Sequence, residues 1–375
     1  MTTRIVYLFT SLGSASHDKV AWSVGDKSNN ASALSMKTEG FTYMWNKLIE
    51  NKVVDEVLSV VESARGPGSI VLGKNHTCLV IPHINQLKPL LRDNDIIVAR
   101  GGFRPWPPLL KEMNDTGHWV LFYRAASNRA GWPYWDIVLD DLVDHHLCEV
   151  GQPRLHFQFN KPLPPELFFY RSEVPKKYDL MINASHIHDK KGQWRAINAA
   201  IAYQQEFKEG LRLCLPGGWY KGTETNQIRK RIKDHNLNVY IPGMVSRLEL
   251  SKLFAQSKLY IHLGGAGQND RGALEAMACG VPIILANPQC HAPFLYKDRR
   301  FSTLIKDLNN SSDVAATIRK CLHGWWHPQL AQDTAQYYLQ ANGVYEVVLP
   351  QMTRLLEYCM TNPVDRKKIM EIYGA

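Results

Sequence analysis

Three stretches of this chain collect the residue types that receive charged ligands. The first is GGAGQNDRGALEAMACGVPII, residues 264–284. It opens Gly-rich, turns polar at Gln268-Asn269-Asp270-Arg271, and continues as a small-residue helix carrying one acid, Glu275. Such a helix entrance offers free backbone N–H groups and the positive end of a dipole. The second is Ala184-Ser185-His186-Ile187-His188-Asp189-Lys190-Lys191-Gly192, between a strand and a helix. Two lysines beside a helix N-terminus suit a phosphate, by point charge and by backbone amides. The third is Leu215-Pro216-Gly217-Gly218, a Gly turn after a strand, which alone is only a turn.

These stretches need a frame that points them at one place. The second half alternates short apolar runs with helical periodicity, which predicts a parallel sheet covered by helices on both faces. Strands are expected at 180–184, 212–215, 238–241, 259–263 and 282–285, and helices at 192–206, 225–235, 247–256 and 272–279. The first half repeats the rhythm, with strands at 4–10, 56–61, 78–81, 95–99, 119–123 and 136–139 and amphipathic stretches at 38–51 and 107–113. Residues 159–175 carry Pro162, Pro164, Pro165 and Pro175 and read as a linker. Residues 312–322 and 330–360 read as helical, the latter with a long apolar face. In open parallel sheets, ligands bind beyond the carboxyl ends of the strands, which is where all three stretches fall.

At 375 residues the chain is too long for one ordinary core, and two domains are expected. No run approaches the 18 or so apolar residues of a membrane span, and the apolar run at Ile5–Phe9 is too short for a secretory leader. Seven scattered cysteines without a CxxC pair argue against a disulfide framework or a zinc knuckle, and suit a reducing cytoplasm. The net charge of +9 is unevenly placed: residues 1–175 hold 18 Lys/Arg against 18 Asp/Glu, and residues 176–375 hold 26 against 17. A basic bias confined to one half fits a site for an anionic small ligand as well as it fits nucleic acid.

Order and spacing then point to a family. Lys191-Gly192 before a helix, Leu213 to Gly218, Val239-Tyr240-Ile241-Pro242-Gly243-Met244-Val245, Leu250-Ser251-Lys252-Leu253-Phe254, Ser257 to Leu263 and finally Leu274 to Pro282 follow one another. Together, across residues 178–290, they resemble the nucleotide-sugar-binding domain of the retaining family-4 (group 1) GT-B glycosyltransferases. The resemblance implies two doubly wound Rossmann-like domains facing a cleft. These would be an N-terminal acceptor domain at 1–172, a donor domain at 173–330, and a helical segment at 331–375 packing back on the N-terminal domain. It implies transfer of a sugar from a nucleotide-diphosphate sugar, UDP- or GDP-linked, to the hydroxyl of a glycan or other acceptor. Anomeric configuration would be retained, with no cofactor and no metal.

The same resemblance implies that Glu275 holds the ribose hydroxyls. The remaining donor contacts would come from His186, Lys190, Lys191, Gly217, Met244, Val245, Gln268, Asn269, Asp270, Arg271 and Gly272. Lys191, Arg271 and Asp270 would carry the catalytic roles, the cations on the leaving diphosphate and Asp270 or Gln268 on the donor sugar. Two positions depart from the family: Gly267 stands where a first glutamate is usual, and His186 aligns with the usual arginine. In the first half, Gly13, Arg100 and Arg124 follow strand ends and are candidates for the acceptor side, with a structural ion pair as the other reading of each arginine.

Two further runs have compositions that suit other chemistry. The run from Asp136 to His146 has the composition of a metal cluster, but also that of a strand entering a polar helix start. Arg229-Lys230-Arg231-Ile232-Lys233 can meet nucleic-acid phosphates or form a solvated helix face. Two further functions stay open, a transferase acting on modified DNA bases and a non-catalytic sugar-nucleotide or glycan binder. The near-neutral first half weighs against the former; Gly267 and His186 motivate the latter.

Overall fold

A computed structural model describes residues 3–10, 35–62, 67–100, 112–113, 116–123, 136–140, 155–182, 186–187, 192–219, 223–264, 271–286, 294–305, 307–362 and 364. Two compact units are present, one formed by 1–164 together with 342–375 and the other by 165–341.

The first unit is built on eight strands: β1 (Arg4–Thr10), β2 (Glu56–Glu62), β3 (Gly68–Gly73), β4 (His76–Ile81), β5 (Ile96–Arg100), β6 (Trp119–Tyr123), β7 (Ile137–Asp140) and β8 (Leu155–Gln158), with helix α1 (Gly40–Glu50) after β1. Their order is β3-β4-β2-β1-β5-β6-β7-β8, with every pair parallel except β3–β4. Strands covered on both faces read as continuous apolar runs, and β5 and β6 are buried throughout. Successive residues of β1 feed opposite cores, because side chains alternate across a sheet. Ile5, Tyr7 and Phe9 pack with Phe41, Trp45 and Val57, whereas Val6 and Leu8 pack with Leu58, Val60 and Ile97. The antiparallel edge strand β3 alternates half-buried and exposed residues instead.

The second unit contains β9 (Tyr178–Ile182), the short β10 (His186–Ile187), helix α2 (Gln193–Phe207), β11 (Leu213–Cys214), the short β12 (Gly218–Trp219), α3 (Thr223–Asp234), β13 (Val239–Tyr240), α4 (Arg247–Ala255), β14 (Ser257–His262), α5 (Arg271–Ala278), β15 (Ile283–Ala286), α6 (Phe294–Lys297), β16 (Ser302–Ile305), α7 (Ser311–Lys320) and α8 (Pro328–Asn342). Six strands form a parallel sheet in the order β13-β11-β9-β14-β15-β16, and β10 pairs with β12 separately. From β9 the connections step one way to β11 and β13. From β14 they step the other way to β15 and β16. The gap between β9 and β14 is therefore the topological switch point, where loops on either side diverge and leave a crevice.

The chain then returns to the first unit through a π-helical turn at Val344–Val348 and α9 (Leu349–Thr361), whose Met352, Leu355 and Leu356 join the core of Tyr7 and Trp45. The stretch expected as helical over 330–360 is two α-helices, broken at Gly343, whose backbone is extended (ψ 142°). The segment expected as a linker at 159–175 is anchored rather than free. Phe159 is buried beside Phe41 and Tyr123 in the first unit, and Phe168 packs on Phe254 in the second. Its prolines withhold backbone donors from regular structure, while its aromatics take up core positions. Contacts of this kind bring 165–172 and 331–341 into the second unit, where Tyr337 stacks on Phe301.

His76 at the start of β4 gives the first unit an acid-sensitive element. Its Nδ1 donates to Asn46 Oδ1 at 2.7 Å and its Nε2 accepts from Ser59 Oγ at 2.8 Å, so the neutral ring is fully bonded. Burial lowers its pKa to about 4. The unfolded chain takes up this proton near pH 6.5 and the folded chain does not, so stability is present above that pH and is lost as pH falls towards 4. Unfolding by urea is expected to show a loss of roughly 3 kcal/mol over that window, and His76→Gln is expected to flatten it.

Candidate functional site

The loops at the carboxyl end of the second sheet are tied to one another. The register of β10 with β12 sets His186 opposite Gly218, which joins the basic loop after β9 to the Gly turn after β11. Gly217 N donates to Gly243 O at 2.8 Å, joining that turn to the loop after β13. Gly192, at φ +77°, is the left-handed residue from which α2 starts, and a Cβ built on it would lie 2.3 Å from the carbonyl carbon of Leu263. Only glycine accepts both the positive φ and this approach. One turn on, Arg195 Nη1 donates to Leu263 O at 3.3 Å. The entrance of α2 is thereby docked against the exit of β14, across the switch point.

Helix α5 carries the acid. Ala273, Ala276 and Ala278 are buried, so the helix lies close on the strands beside it. It ends in a Schellman motif at Gly280 (φ +74°), with Val281 N bonded to Ala276 O at 2.9 Å and Gly280 N to Met277 O at 2.9 Å. That geometry is the physical content of the Cys-Gly-Val-Pro run. The helix is described from Arg271, so Glu275 is its fifth residue, one position further in than the expected start at 272 implies. Glu275 is 4% exposed.

Two guanidiniums meet this carboxylate. Arg247 Nη2 donates to Glu275 Oε1 at 2.9 Å, and Arg271 Nε stands 3.4 Å from the same oxygen. Arg271 approaches from the preceding turn of its own helix. Arg247 arrives from the first residue of α4, whose N-cap Ser246 accepts from Glu249 N at 3.1 Å. The Arg247 guanidinium also lies 5.0 Å from the ring centroid of Phe168. Ion pairing of this kind satisfies a carboxylate that burial would otherwise penalise. Both guanidiniums stand at one carboxylate oxygen, at the end of the sheet where open parallel sheets bind their ligands. Cys279 below it is no nucleophile: burial pushes its thiol up to about 12.

Among the residues expected at a donor site, the structure gathers Gly217, Met244, Val245, Arg271, Gly272 and Glu275, with the backbone of His186, at this end of the sheet. Met244 and Val245 are half-buried in the loop leading to α4. Lys190, Lys191, Gln268, Asn269 and Asp270, like Gly13 and Arg124, lie outside the described residues. The sequence does not single out Arg247. Its signal is faint: one arginine just after a Ser N-cap.

Arg100, expected on the acceptor side, takes the other role open to it. It is buried at the end of β5, paired with Glu39 and enclosed by the rings of Phe9, Phe41 and Tyr123 at 5.3, 5.0 and 5.9 Å. Burial works against its charge, but Glu39 and Tyr7 outweigh it and hold the guanidinium above its usual pKa. The basic run on α3 is a helix face with local partners. Lys230 pairs with Asp234 at 2.7 Å, and Arg231 lies over the Trp194 ring at 4.6 Å and bonds Asn198 Oδ1 at 2.9 Å. Trp325 and Trp326 pack on the second unit's core. Among the described residues no three His, Cys, Asp or Glu side chains form a metal-binding group, and no helix is long and apolar enough to cross a membrane.

The sequence of the second unit settles its family. Residues 166–338 match the family model of glycosyl transferases group 1. The second unit is a group 1 glycosyl transferase domain. The whole chain has the GT-B fold, with two Rossmann-like units, as solved structures of low identity show. It resembles Anabaena HepE in complex with UDP and glucose (13% identity, TM-score 0.62, covering 95% of this chain and 99% of that one). It also resembles the trehalose-6-phosphate synthase OtsA (10%, TM-score 0.63, 96% and 99%). A third likeness is to the pneumococcal O-GlcNAc transferase GtfA in complex with UDP and GlcNAc (14%, TM-score 0.59), where the match covers 74% of this chain but only 60% of that one. Among curated protein sequences none matches this chain. In the group 1 domain, the arginine-flanked Glu275 and the Gly192 contact thus belong to the second of two GT-B units.

Proposed function

We propose that the protein is a glycosyltransferase that moves a sugar from a nucleoside-diphosphate sugar to the hydroxyl of a glycan or similar acceptor. One observation carries the reading: in a stretch that matches group 1 glycosyl transferases, the entrance of α2 is docked on the exit of β14, and on α5, the next helix after β14, an acid meets two arginines from α5 and α4. Paired ribose hydroxyls need an acceptor-only group, which Glu275 supplies. The diphosphate needs cations and free amides, which Arg271, Lys191 and the start of α2 supply.

Transfer then requires the bond between sugar C1 and the phosphate oxygen to break, its electron pair passing to the leaving diphosphate. Arg271 and Lys191 stabilise that developing charge. The acceptor oxygen forms its bond to C1 on the face the diphosphate leaves, and its proton passes to the departing phosphate. Configuration is retained, and no protein carboxylate pair is needed. Asp270 and Gln268 are proposed to hold the donor sugar. With cations from side chains at the leaving group, the chemistry does not call for a divalent ion. The five described cysteines are buried and free, which suits the cytoplasm.

The test is to incubate the protein with UDP- and GDP-linked sugars and follow release of the nucleoside diphosphate. Slow donor hydrolysis with one of them is expected, unchanged within about twofold by EDTA. Tight nucleotide binding without hydrolysis of any donor would sink the enzyme reading in favour of a binding module.

A further inference from the structure

Glu275 is met by two arginines at the same oxygen, and the two are not equivalent. The Arg247 bond is the shorter, 2.9 Å against 3.4 Å. The Arg247 side chain is 15% exposed and that of Arg271 40%. Arg247 is also fixed by its place in the fold. It stands at the capped start of α4, and its guanidinium covers the ring of Phe168, which packs in turn on Phe254 of α4. Arg271 instead leads its helix at the polar entrance, with its side chain reaching water.

We propose that Arg247 is a dedicated positioning residue that fixes the Glu275 carboxylate for the donor's ribose, while Arg271 is the exchangeable partner that turns from Glu275 to the diphosphate. This rests on the function proposed above. A buried carboxylate whose sole cation left for the ligand would lose the partner that keeps it ionised and aimed. With Arg247 in place, Arg271 can move and Glu275 stays charged, hydrogen-bonded and pointed the same way. Arg271 serves the diphosphate, and the Arg247–Glu275 pair contributes orientation. Arg247 touches no reacting atom; it acts through Glu275.

The decisive measurement compares ligands that differ only in the hydroxyls Glu275 would hold. Calorimetric titrations of the full chain with UDP, GDP and their 2′,3′-dideoxy forms give, for the wild type, a preference of about tenfold for the ribo form of the nucleotide it binds. Arg247→Met is expected to weaken the ribo form by about tenfold, leave the dideoxy form nearly unchanged, and so erase the preference. Arg247→Lys is expected to restore part of it. Arg271→Met is expected to weaken both forms alike and keep the preference. A purely structural role for Arg247 would weaken both forms together, and that result overturns the proposal. So does loss of the preference in Arg271→Met. If Arg247→Met melts below the assay temperature, the Lys variant carries the comparison, and an unchanged ribo preference there overturns the proposal. A wild type that binds neither UDP nor GDP overturns the donor-site reading itself and the positioning role with it. A wild type that binds, with the preference intact in Arg247→Met, overturns the positioning role alone.

Discussion

Replacing Glu275 by Gln is expected to weaken nucleoside-diphosphate binding by one to two orders of magnitude while leaving the chain folded. The amide keeps the side-chain shape but gives up the charge. Hydrogen bonds to a charged acceptor contribute about 1.5–3 kcal/mol each, against about 1 for a neutral one. The change also leaves Arg247 facing a neutral group at a site that is 4% exposed. Breaking a buried pair from one side costs about 3–5 kcal/mol where the orphaned charge is trapped. Here the cost is expected nearer 2 kcal/mol, because Arg271 can turn towards water. Calorimetric titration with UDP and GDP, alongside thermal melts, separates the two effects. Affinity equal to wild type in a folded variant would remove Glu275 from the donor site. Glu275→Ala is the poorer experiment, since it adds a cavity to the lost charge.

The larger effect on stability is expected from Gly192→Ala. A Cβ at φ +77° costs about 1–2 kcal/mol by itself. The new methyl would also lie 2.3 Å from the Leu263 carbonyl carbon and 2.5 Å from its oxygen, both backbone atoms, so α2 or the exit of β14 has to move. Together these are expected to destabilise the group 1 domain by about 3 kcal/mol or more. Donor hydrolysis should fall by at least an order of magnitude, because the two loops separated are those flanking the switch point. Gly243→Ala is the internal control. It has nearly the same φ, +78°, but open space around the added carbon, and is expected to lose only the backbone share. Equal melting temperatures for the two variants would show that the approach to Leu263 is not what glycine serves at 192.

What the sequence made legible follows from how each feature is encoded. The buried parallel strands announced themselves as runs such as Leu259-Tyr260-Ile261, because a strand covered on both faces needs apolar residues at every position. The turn at Cys279-Gly280-Val281 was equally readable, since one left-handed position admits few residues but glycine. The strands that the sequence does not announce are β3, whose alternation at an antiparallel edge is spread over glycines, the four-residue edge strands β8 and β16, and the two-residue β10 and β12, which pair with each other. At the site, Glu275 stood out in its motif but its partner did not. Arg247 lies 28 residues earlier in the chain, and only the packing of α4 against α5 brings the two charges together. Arg100 illustrates the converse. Its place after a strand suggested a ligand, yet Glu39, 61 residues away, had already claimed its charge.

The two-segment make-up of the first unit has a consequence for how the protein is assembled. Residues 165–341 form one uninterrupted body, whereas the core around Tyr7 and Trp45 is completed by Val344, Met352 and Leu355, which leave the ribosome only after that body. Vectorial synthesis usually lets the N-terminal domain fold first. Here the order can be inverted: the body encoded between the two segments is complete in sequence while the first unit still waits for α9. Release of a nascent chain halted after Ala341 would therefore deliver a finished group 1 domain attached to an unfinished neighbour, an apolar groove open where α9 should lie and a target for chaperones.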